Sequence, residues 1–241
     1  TTAINLGACL SEKGKKVLLV DLDPQANLTS GIGVVINGEE PCAYEFIMDE
    51  YDDPMEVVKE TPVPNLFIIP SCIDLAGAEP KLIGEIGREQ QLRTALYDIE
   101  DQFDYIVIDT PPSLGLLMIN ALSSATQVII PVQTQAFAIN GMKQLLDTIN
   151  AVQSKINPHL AGWMVLPTMV DYRRNEDKRM LQELREKYGS KVLSTAIRIN
   201  ARLMEAVRKG EIITRYDKNS VGAKEYCSCA DELMSIYEGV A

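Results

Sequence analysis

An α/β fold is predicted, with a mostly parallel central sheet and helices on both of its faces. Three observations carry that expectation. Short runs rich in Val, Ile and Leu alternate with amphipathic stretches along the whole chain, and such alternation is the pattern of parallel strands joined by crossover helices. The apolar runs read as buried strands, as expected of a sheet covered on both faces. Hydrophobic residues make up 46% of the 241, enough for a sizeable core and too many for wholesale disorder.

The elements follow in order. Residues 1–13 have apolar positions at helical spacing and no strand or cap before them, so the chain is expected to open inside a helix, with a strand and a loop upstream. Residues 17–20 (Val-Leu-Leu-Val) are the first buried strand. Residues 38–64 are acidic and proline-bearing and read as surface structure, with a short helix near 44–49. Residues 66–69, 105–108, 127–132, 164–166 and 192–197 supply the remaining strands, each a short Val/Ile/Leu-rich run. Residues 82–99, 114–123, 140–154, 176–188, 201–208 and 222–237 supply the helices. No repeat, low-complexity tract or linker interrupts the series, so one domain spanning residues 1–241 is expected.

Charge is unevenly spread. The net charge is −11, but residues 1–170 hold 9 Lys and Arg against 22 Asp and Glu, and residues 171–241 hold 14 against 12. Within 196–224 the balance is 7 basic to 3 acidic. The whole molecule therefore opposes generic binding to polyanions, while the local field near the C-terminus need not. No apolar run is long enough to span a bilayer, and the start shows no signal-peptide pattern. Cys9, Cys42, Cys72, Cys227 and Cys229 are odd in number and scattered, which does not read as a disulfide framework. Cys227 and Cys229 would point to nearly opposite sides of a helix, with no histidine nearby, so the five read as structural.

Two strands run into carboxylates. Residues 17–20 lead into Asp21-Leu22-Asp23-Pro24-Gln25, and residues 105–108 into Asp109-Thr110-Pro111-Pro112-Ser113. In a parallel sheet both ends fall on one edge, where Asp21, Asp23 and Asp109 can converge and where open α/β sheets bind ligands. Clustered carboxylates repel one another and are costly to desolvate. A hard cation with phosphate oxygens relieves this, and magnesium is commonly held by one or two carboxylates, water and phosphates. An apolar strand ending in Asp is the Walker-B arrangement, though any single such Asp is more often a turn or capping residue.

The combination is more specific. Val20-Asp21-Leu22-Asp23-Pro24-Gln25-Ala26-Asn27-Leu28-Thr29-Ser30-Gly31 resembles the switch I segment of ParA and Soj proteins. Asp109-Thr110-Pro111-Pro112-Ser113-Leu114-Gly115 resembles their Walker-B and switch II segment. Ile69-Pro70-Ser71-Cys72-Ile73-Asp74-Leu75-Ala76-Gly77-Ala78-Glu79, Leu145-Leu146-Asp147-Thr148-Ile149 and Gly222-Ala223-Lys224-Glu225-Tyr226 resemble further stretches of the same family, in the same order. The resemblance covers essentially the whole chain and implies a P-loop NTPase fold of the deviant-Walker type.

The resemblance also implies roles. Thr1 and Thr2 resemble the later threonines of the family's Lys-Gly-Gly-x-Gly-Lys-Thr-Thr-Thr loop, where a backbone N–H at a helix N-terminus meets phosphate. The rest of that loop is then expected upstream, and residues 1–241 alone are expected to hydrolyse ATP poorly. Asp23 matches the aspartate that orients the attacking water, and Asp109 the one that reaches magnesium through water; Asp21 lies behind them. Ile197-Arg198-Ile199-Asn200 stands where the family's adenine loop reads Ile-Pro-Arg-Asn or Ile-Arg-x-Asn, which assigns Arg198 and Asn200 to the base together with Thr168 and Met169.

ATP and Mg2+ are thus the implied cofactors. The implied partners are a second copy in an ATP-dependent homodimer, non-specific duplex DNA and a ParB-like stimulatory protein, with no membrane, in a cytoplasmic, nucleoid-associated setting. For DNA, the basic balance nominates Arg202, Arg208, Lys209 and Arg215. The alternative is a MinD-like membrane-cycling ATPase, which would end in a basic amphipathic helix; residues 229–238 are acidic instead. An iron–sulfur carrier would need cysteines placed to bridge a cluster between subunits, which Cys227-x-Cys229 does not resemble.

Overall fold

A computed structural model describes residues 1–38, 40–134 and 138–239, with the backbone alone for 138–141. In chain order the elements are α1 (Thr2–Glu12), β1 (Val17–Asp21), α2 (Asn27–Gly31), α3 (Ala43–Met48), β2 (Lys59–Glu60), β3 (Leu66–Ile69), α4 (Ala78–Leu82), α5 (Gln91–Tyr97), β4 (Tyr105–Asp109), α6 (Leu116–Ser124), β5 (Val128–Gln133), α7 (Ala138–Lys155), β6 (Trp163–Thr168), α8 (Asn175–Tyr188), α9 (Ala201–Arg208), α10 (Ile213–Tyr216) and α11 (Val221–Glu238).

The mostly parallel α/β architecture is as the sequence predicts. Strands β3, β1 and β4 run parallel, with β2 added antiparallel at the β3 edge, giving the order β2-β3-β1-β4. Strands β5 and β6 form a separate parallel pair. A shared apolar cluster joins the two sheets: Val17 and Leu19 of β1, Leu166 of β6 and Ile4, Leu6 and Leu10 of α1 belong to it, with Val107 and Ile129 packed against it. The other face of β1, Leu18 and Val20, packs with Phe46, Ile47, Leu92, Leu96 and Leu117. Each fully buried side chain of this size stabilises the fold by about 1.5–3 kcal/mol. All five residues of β1 are buried, which is why they form a continuous apolar run up to its terminal Asp.

Four expectations are corrected. Residues 192–197 form no strand; they run beside β6 and its exit through the isolated bridges Val165–Val192 and Val170–Arg198 and through the N–H groups of Leu193 and Ile197, which donate to the Val165 (2.9 Å) and Pro167 (2.8 Å) carbonyls. The Glu232 carboxylate accepts the N–H groups of Ser194 (2.6 Å) and Thr195 (2.9 Å), and Pro167 in β6 has no N–H to donate. The expected helix over 82–99 is two helices, broken at residues 83–90, where Gly87 adopts φ +71°. Residues 38–64 are not merely surface: Cys42, Ala43, Phe46, Ile47 and Val57 are buried, because α3 presents positions 43, 46 and 47 inward while its one acidic residue, Glu45, turns back to accept the Cys42 N–H. Finally, Cys42 and Cys72 are disulfide-bonded, their Cα atoms 6.2 Å apart across 30 residues of sequence. That approach depends on α3 folding back beside the end of β3, and spacing alone does not reveal it.

Candidate functional site

Asp21 and Asp109 are the last residues of β1 and β4, and the two strands pair in register as far as that carboxylate pair. The chain continues the contact one step further, with Leu22 N–H donating to the Asp109 carbonyl at 2.9 Å. Asp23 follows, half-buried, its carboxylate accepting the Gln25 N–H at 3.0 Å in a tight turn. Ala26, in the left-handed region at φ 51°, then starts α2.

Asp21 organises this segment. It is fully buried and accepts three hydrogen bonds, from Thr29 N–H (2.9 Å), Thr29 Oγ1 (2.7 Å) and Asp23 N–H (3.2 Å). Thr29 Oγ1 in turn accepts the Ser71 N–H at 2.9 Å, which ties the end of β3 to the same knot. Burial pushes the Asp21 carboxyl above its ordinary range, against the pull of those three donors. Its acceptor capacity is thus directed into the protein.

Asp109 differs. Its carboxyl is pushed up to about 6, by burial first and then by the Asp21 and Asp23 carboxylates beside it. The Thr1 nitrogen, at the start of α1, lies near the same carboxyl. Thr1 is the N-cap residue of α1 and is exposed. Buried Asn5 fastens it, donating from Nδ2 to the Thr1 carbonyl (3.0 Å) while Oδ1 accepts the Ile213 N–H (2.9 Å). Thr2 Oγ1 lies 3.2 Å from the hydroxyl of buried Tyr226 on α11.

The remaining predicted residues form a second group. Thr168 ends β6, buried, and Met169 follows at φ +54° with its side chain exposed. Residues 197–200 run alongside: Ile197 N–H donates to the Pro167 carbonyl (2.8 Å), Val170 N–H to Ile197 (3.1 Å) and Ile199 N–H to Val170 (3.2 Å). Thr168, Met169, Arg198 and Asn200 therefore lie on adjoining backbone. Arg198 is held by the Glu225 carboxylate, which also accepts its N–H at 2.8 Å. Asn200 caps α9, its Oδ1 accepting the Arg202 N–H at 2.9 Å. Neighbouring residues of α11 reach both groups, Tyr226 to Thr2 and Glu225 to Arg198.

Sequence reasoning passed over Asn5, Thr29, Ser71, Glu225 and Tyr226. Four of them lie inside the family-like stretches quoted above, so the signal was present without a role attached. A surface groove of about 440 Å3 runs along α8, between Tyr172, Lys178, Leu181, Gln182, Arg185 and Glu186, and includes none of the site residues. Among the described residues no three His, Cys, Asp or Glu side chains form a metal cage. At the β1–β4 edge Asp109 has Asp23 beside it while Asp21 is taken up by its own donors, a sparse carboxylate set that suits a cation completing its shell with phosphate oxygens and water, as magnesium does.

The nominated basic residues sit on α9 and α10. Arg202 pairs with Glu205 (2.7 Å) and approaches Asp217 (3.9 Å). Lys209 stands over the Tyr216 ring at 5.1 Å, and Arg215 donates to the Pro62 carbonyl at 2.5 Å. Arg208 is exposed and makes no ion pair among the described residues.

Comparison with known proteins agrees with this geometry. The family model described as an AAA domain matches residues 1–162. The sporulation initiation inhibitor protein Soj of Bacillus subtilis is 46% identical over 98% of this chain and 92% of its own length. The chromosome-partitioning ATPase Soj of Treponema pallidum is 40% identical over 98% of this chain and 91% of its own. Among solved structures, cobyrinic acid a,c-diamide synthase from Mycobacterium smegmatis with bound ATP analogue and magnesium superposes with a TM-score of 0.86 at 34% identity, covering all of this chain and 90% of that one.

Proposed function

Since this chain belongs to the Soj/ParA family of partitioning ATPases, we propose a residue-by-residue account of how it handles ATP and what its nucleotide cycle acts upon. The protein is an ATPase with ATP and Mg2+ as its cofactors, and its role is in partitioning. The observation that carries the detailed reading is the convergence of Asp21, Asp23 and Asp109 at one sheet edge, beside the start of α1.

The N-terminus of α1 presents backbone N–H groups and the positive end of the helix to phosphate, at Thr1 and Thr2. Asp109 would hold the magnesium side of the site. Bound magnesium supplies neutralisation of phosphate charge. Asp23 is the half-buried carboxylate with acceptor capacity left over after one turn hydrogen bond; it orients the attacking water. Asp21 does neither directly. With three donors from residues 23 and 29 it sets the path of the chain that carries Asp23. Thr168, Met169, Arg198 and Asn200 form the base side, where backbone groups of the paired segments 167–170 and 197–200 are the natural recognition elements. Arg198 and Asn200 side chains are already committed to Glu225 and to the α9 cap.

The partners follow as proposals: an ATP-dependent homodimer, duplex DNA bound without sequence preference through Arg202, Arg208, Lys209 and Arg215, and a ParB-like stimulatory protein, all in a cytoplasmic, nucleoid-associated setting. The basic balance of 196–224 in an acidic chain supports the DNA reading. The MinD-like alternative draws no support from α11, whose buried Cys229, Ala230 and Leu233 share the α1 core cluster and whose Asp231 pairs with Lys13 of the adjoining turn. ATP turnover by the full-length protein, with and without Mg2+ and duplex DNA, tests the account. Magnesium-independent turnover, or the absence of any ATP-dependent DNA shift, would contradict it.

A further inference from the structure

We propose that Glu79 of α4 is the positioning residue for the segment that follows Asp109, holding its far end by capping α6 from across the fold. The inference rests on the reading of Asp109 given above and adds a residue to that site's control.

The first turn of a helix leaves N–H groups without partners. The N-cap residue of α6 is Gly115, which has no side chain with which to cap. The Glu79 carboxylate does so instead, Oε1 accepting the Leu117 N–H at 3.1 Å, and its negative charge suits the positive end of the helix. The glycine and the glutamate fit each other. A Cβ on Gly115 would lie 2.1 Å from Glu79 Oε1 and 2.9 Å from its Cδ, so the carboxylate occupies the space a side chain there would need. The Gly115 backbone, at φ −92° and ψ −170°, is one any residue adopts. A side chain at 115 would therefore displace the flexible Glu79 carboxylate from the cap rather than meet a conformational barrier.

A second anchor fixes the same helix. Asn120, fully buried, accepts the Leu92 N–H (3.1 Å) and donates to the carbonyls of Arg88 (2.7 Å) and Leu116 (2.9 Å). With α6 laced to α5 in this way, residues 110–115 span a fixed strand end and a fixed helix start. Pro111 and Pro112 stiffen the span. Any shift of residues 110–115 relative to Asp109 that carries the start of α6 with it breaks the Glu79–Leu117 bond.

The test uses the full-length protein with E79A, E79Q, G115A and the E79A/G115A double variant, read by amide exchange over residues 116–117 and by steady-state ATP turnover. Loss of the cap in E79A should raise exchange there about fivefold. It should lower kcat about tenfold while KM for Mg-ATP moves less than about threefold. E79Q keeps an oxygen acceptor and should retain at least about half of the kcat. G115A should resemble E79A, and the double variant should be no worse than either single by more than about twofold, because the methyl has room once the carboxylate is gone. Unchanged exchange in E79A, a kcat within about twofold of wild type, or multiplying losses in the double variant would each overturn the proposal. A wild type that turns over no Mg-ATP would instead overturn the parent reading of Asp109, and this inference with it.

Discussion

Asp21 and Asp109 stand opposite one another, in register, at the ends of two adjacent parallel strands. Their surroundings divide the labour. Asp21 is saturated by donors from Thr29 and Asp23, whereas Asp109 is pushed up to about 6 by burial and by the carboxylates beside it. One organises the loop; the other, in the proposed account, meets the cation.

The sign of the Asp109 shift makes a stability prediction. A carboxyl near 3.9 in the unfolded chain and about 6 in the fold binds more protons when folded between those values. Stability therefore falls as pH rises from about 4 to about 6, and the penalty is fully present above that. Removing the charge with Asp109→Asn should raise stability at pH 7.5 without nucleotide by about 1–2 kcal/mol after allowance for solvent screening, seen as a higher melting temperature. The gain should vanish near pH 4. Melts at both pH values check this; a wild type more stable than the variant at pH 7.5 contradicts it.

Asp23→Ala should abolish hydrolysis and leave the fold intact. Its carboxylate makes one turn hydrogen bond, to Gln25. The full-length variant should lose at least about a hundredfold in kcat and still form the ATP-bound dimer in light scattering. Asp109→Ala should instead weaken magnesium-dependent nucleotide binding. Normal turnover by Asp23→Ala, or a variant that stays monomeric with ATP, would defeat the assignment.

The Thr29 hydroxyl joins Asp21 to Ser71 in a buried chain of hydrogen bonds. Thr29→Val keeps the shape, removes both bonds and leaves buried groups unpaired, at a cost of about 2–4 kcal/mol. Ser30→Ala, at the exposed neighbour whose hydroxyl bonds only the Ala26 carbonyl, should stay within about 0.5 kcal/mol. Denaturant midpoints for the two compare them directly; equal midpoints would show that the chain contributes nothing.

On the basic surface, Arg208 and Lys209 should matter more than Arg202 or Arg215, which already have partners in Glu205, Asp217 and the Pro62 carbonyl. Arg208→Glu with Lys209→Glu should weaken ATP-dependent DNA binding at least about tenfold and flatten its salt dependence, while intrinsic hydrolysis is spared. Electrophoretic shifts over a salt series measure this. Unchanged affinity would move the DNA site elsewhere.

The strands that read cleanly from sequence are those buried on both faces, such as β1, where every residue is apolar until the terminal Asp. Their carboxylate ends were legible for the same reason, since a parallel sheet brings all its C-terminal ends to one edge. Legibility failed where partners lie far apart in sequence. Residues 192–197 have the composition of a strand, yet Glu232, some forty residues on, accepts the N–H groups of Ser194 and Thr195 in the middle of the run, while Leu193 and Ile197 on either side donate to β6. Cys42 meets Cys72 only because α3 folds back on β3.

What the sequence by itself determined, then, is the alternation of strand and helix through β1, β3, β4, β5 and β6, the edge on which Asp21, Asp23 and Asp109 meet, and the family. Periodicity and strand direction are local properties, written residue by residue. What only the tertiary structure decided is which acceptor each polar group finds: Asp21 taking Thr29, Glu225 taking Arg198, and Glu79 capping a helix 38 residues away. A buried donor or acceptor must be satisfied, but the chain satisfies it with whatever group the packing brings within about 3 Å, and that depends on the assembled fold.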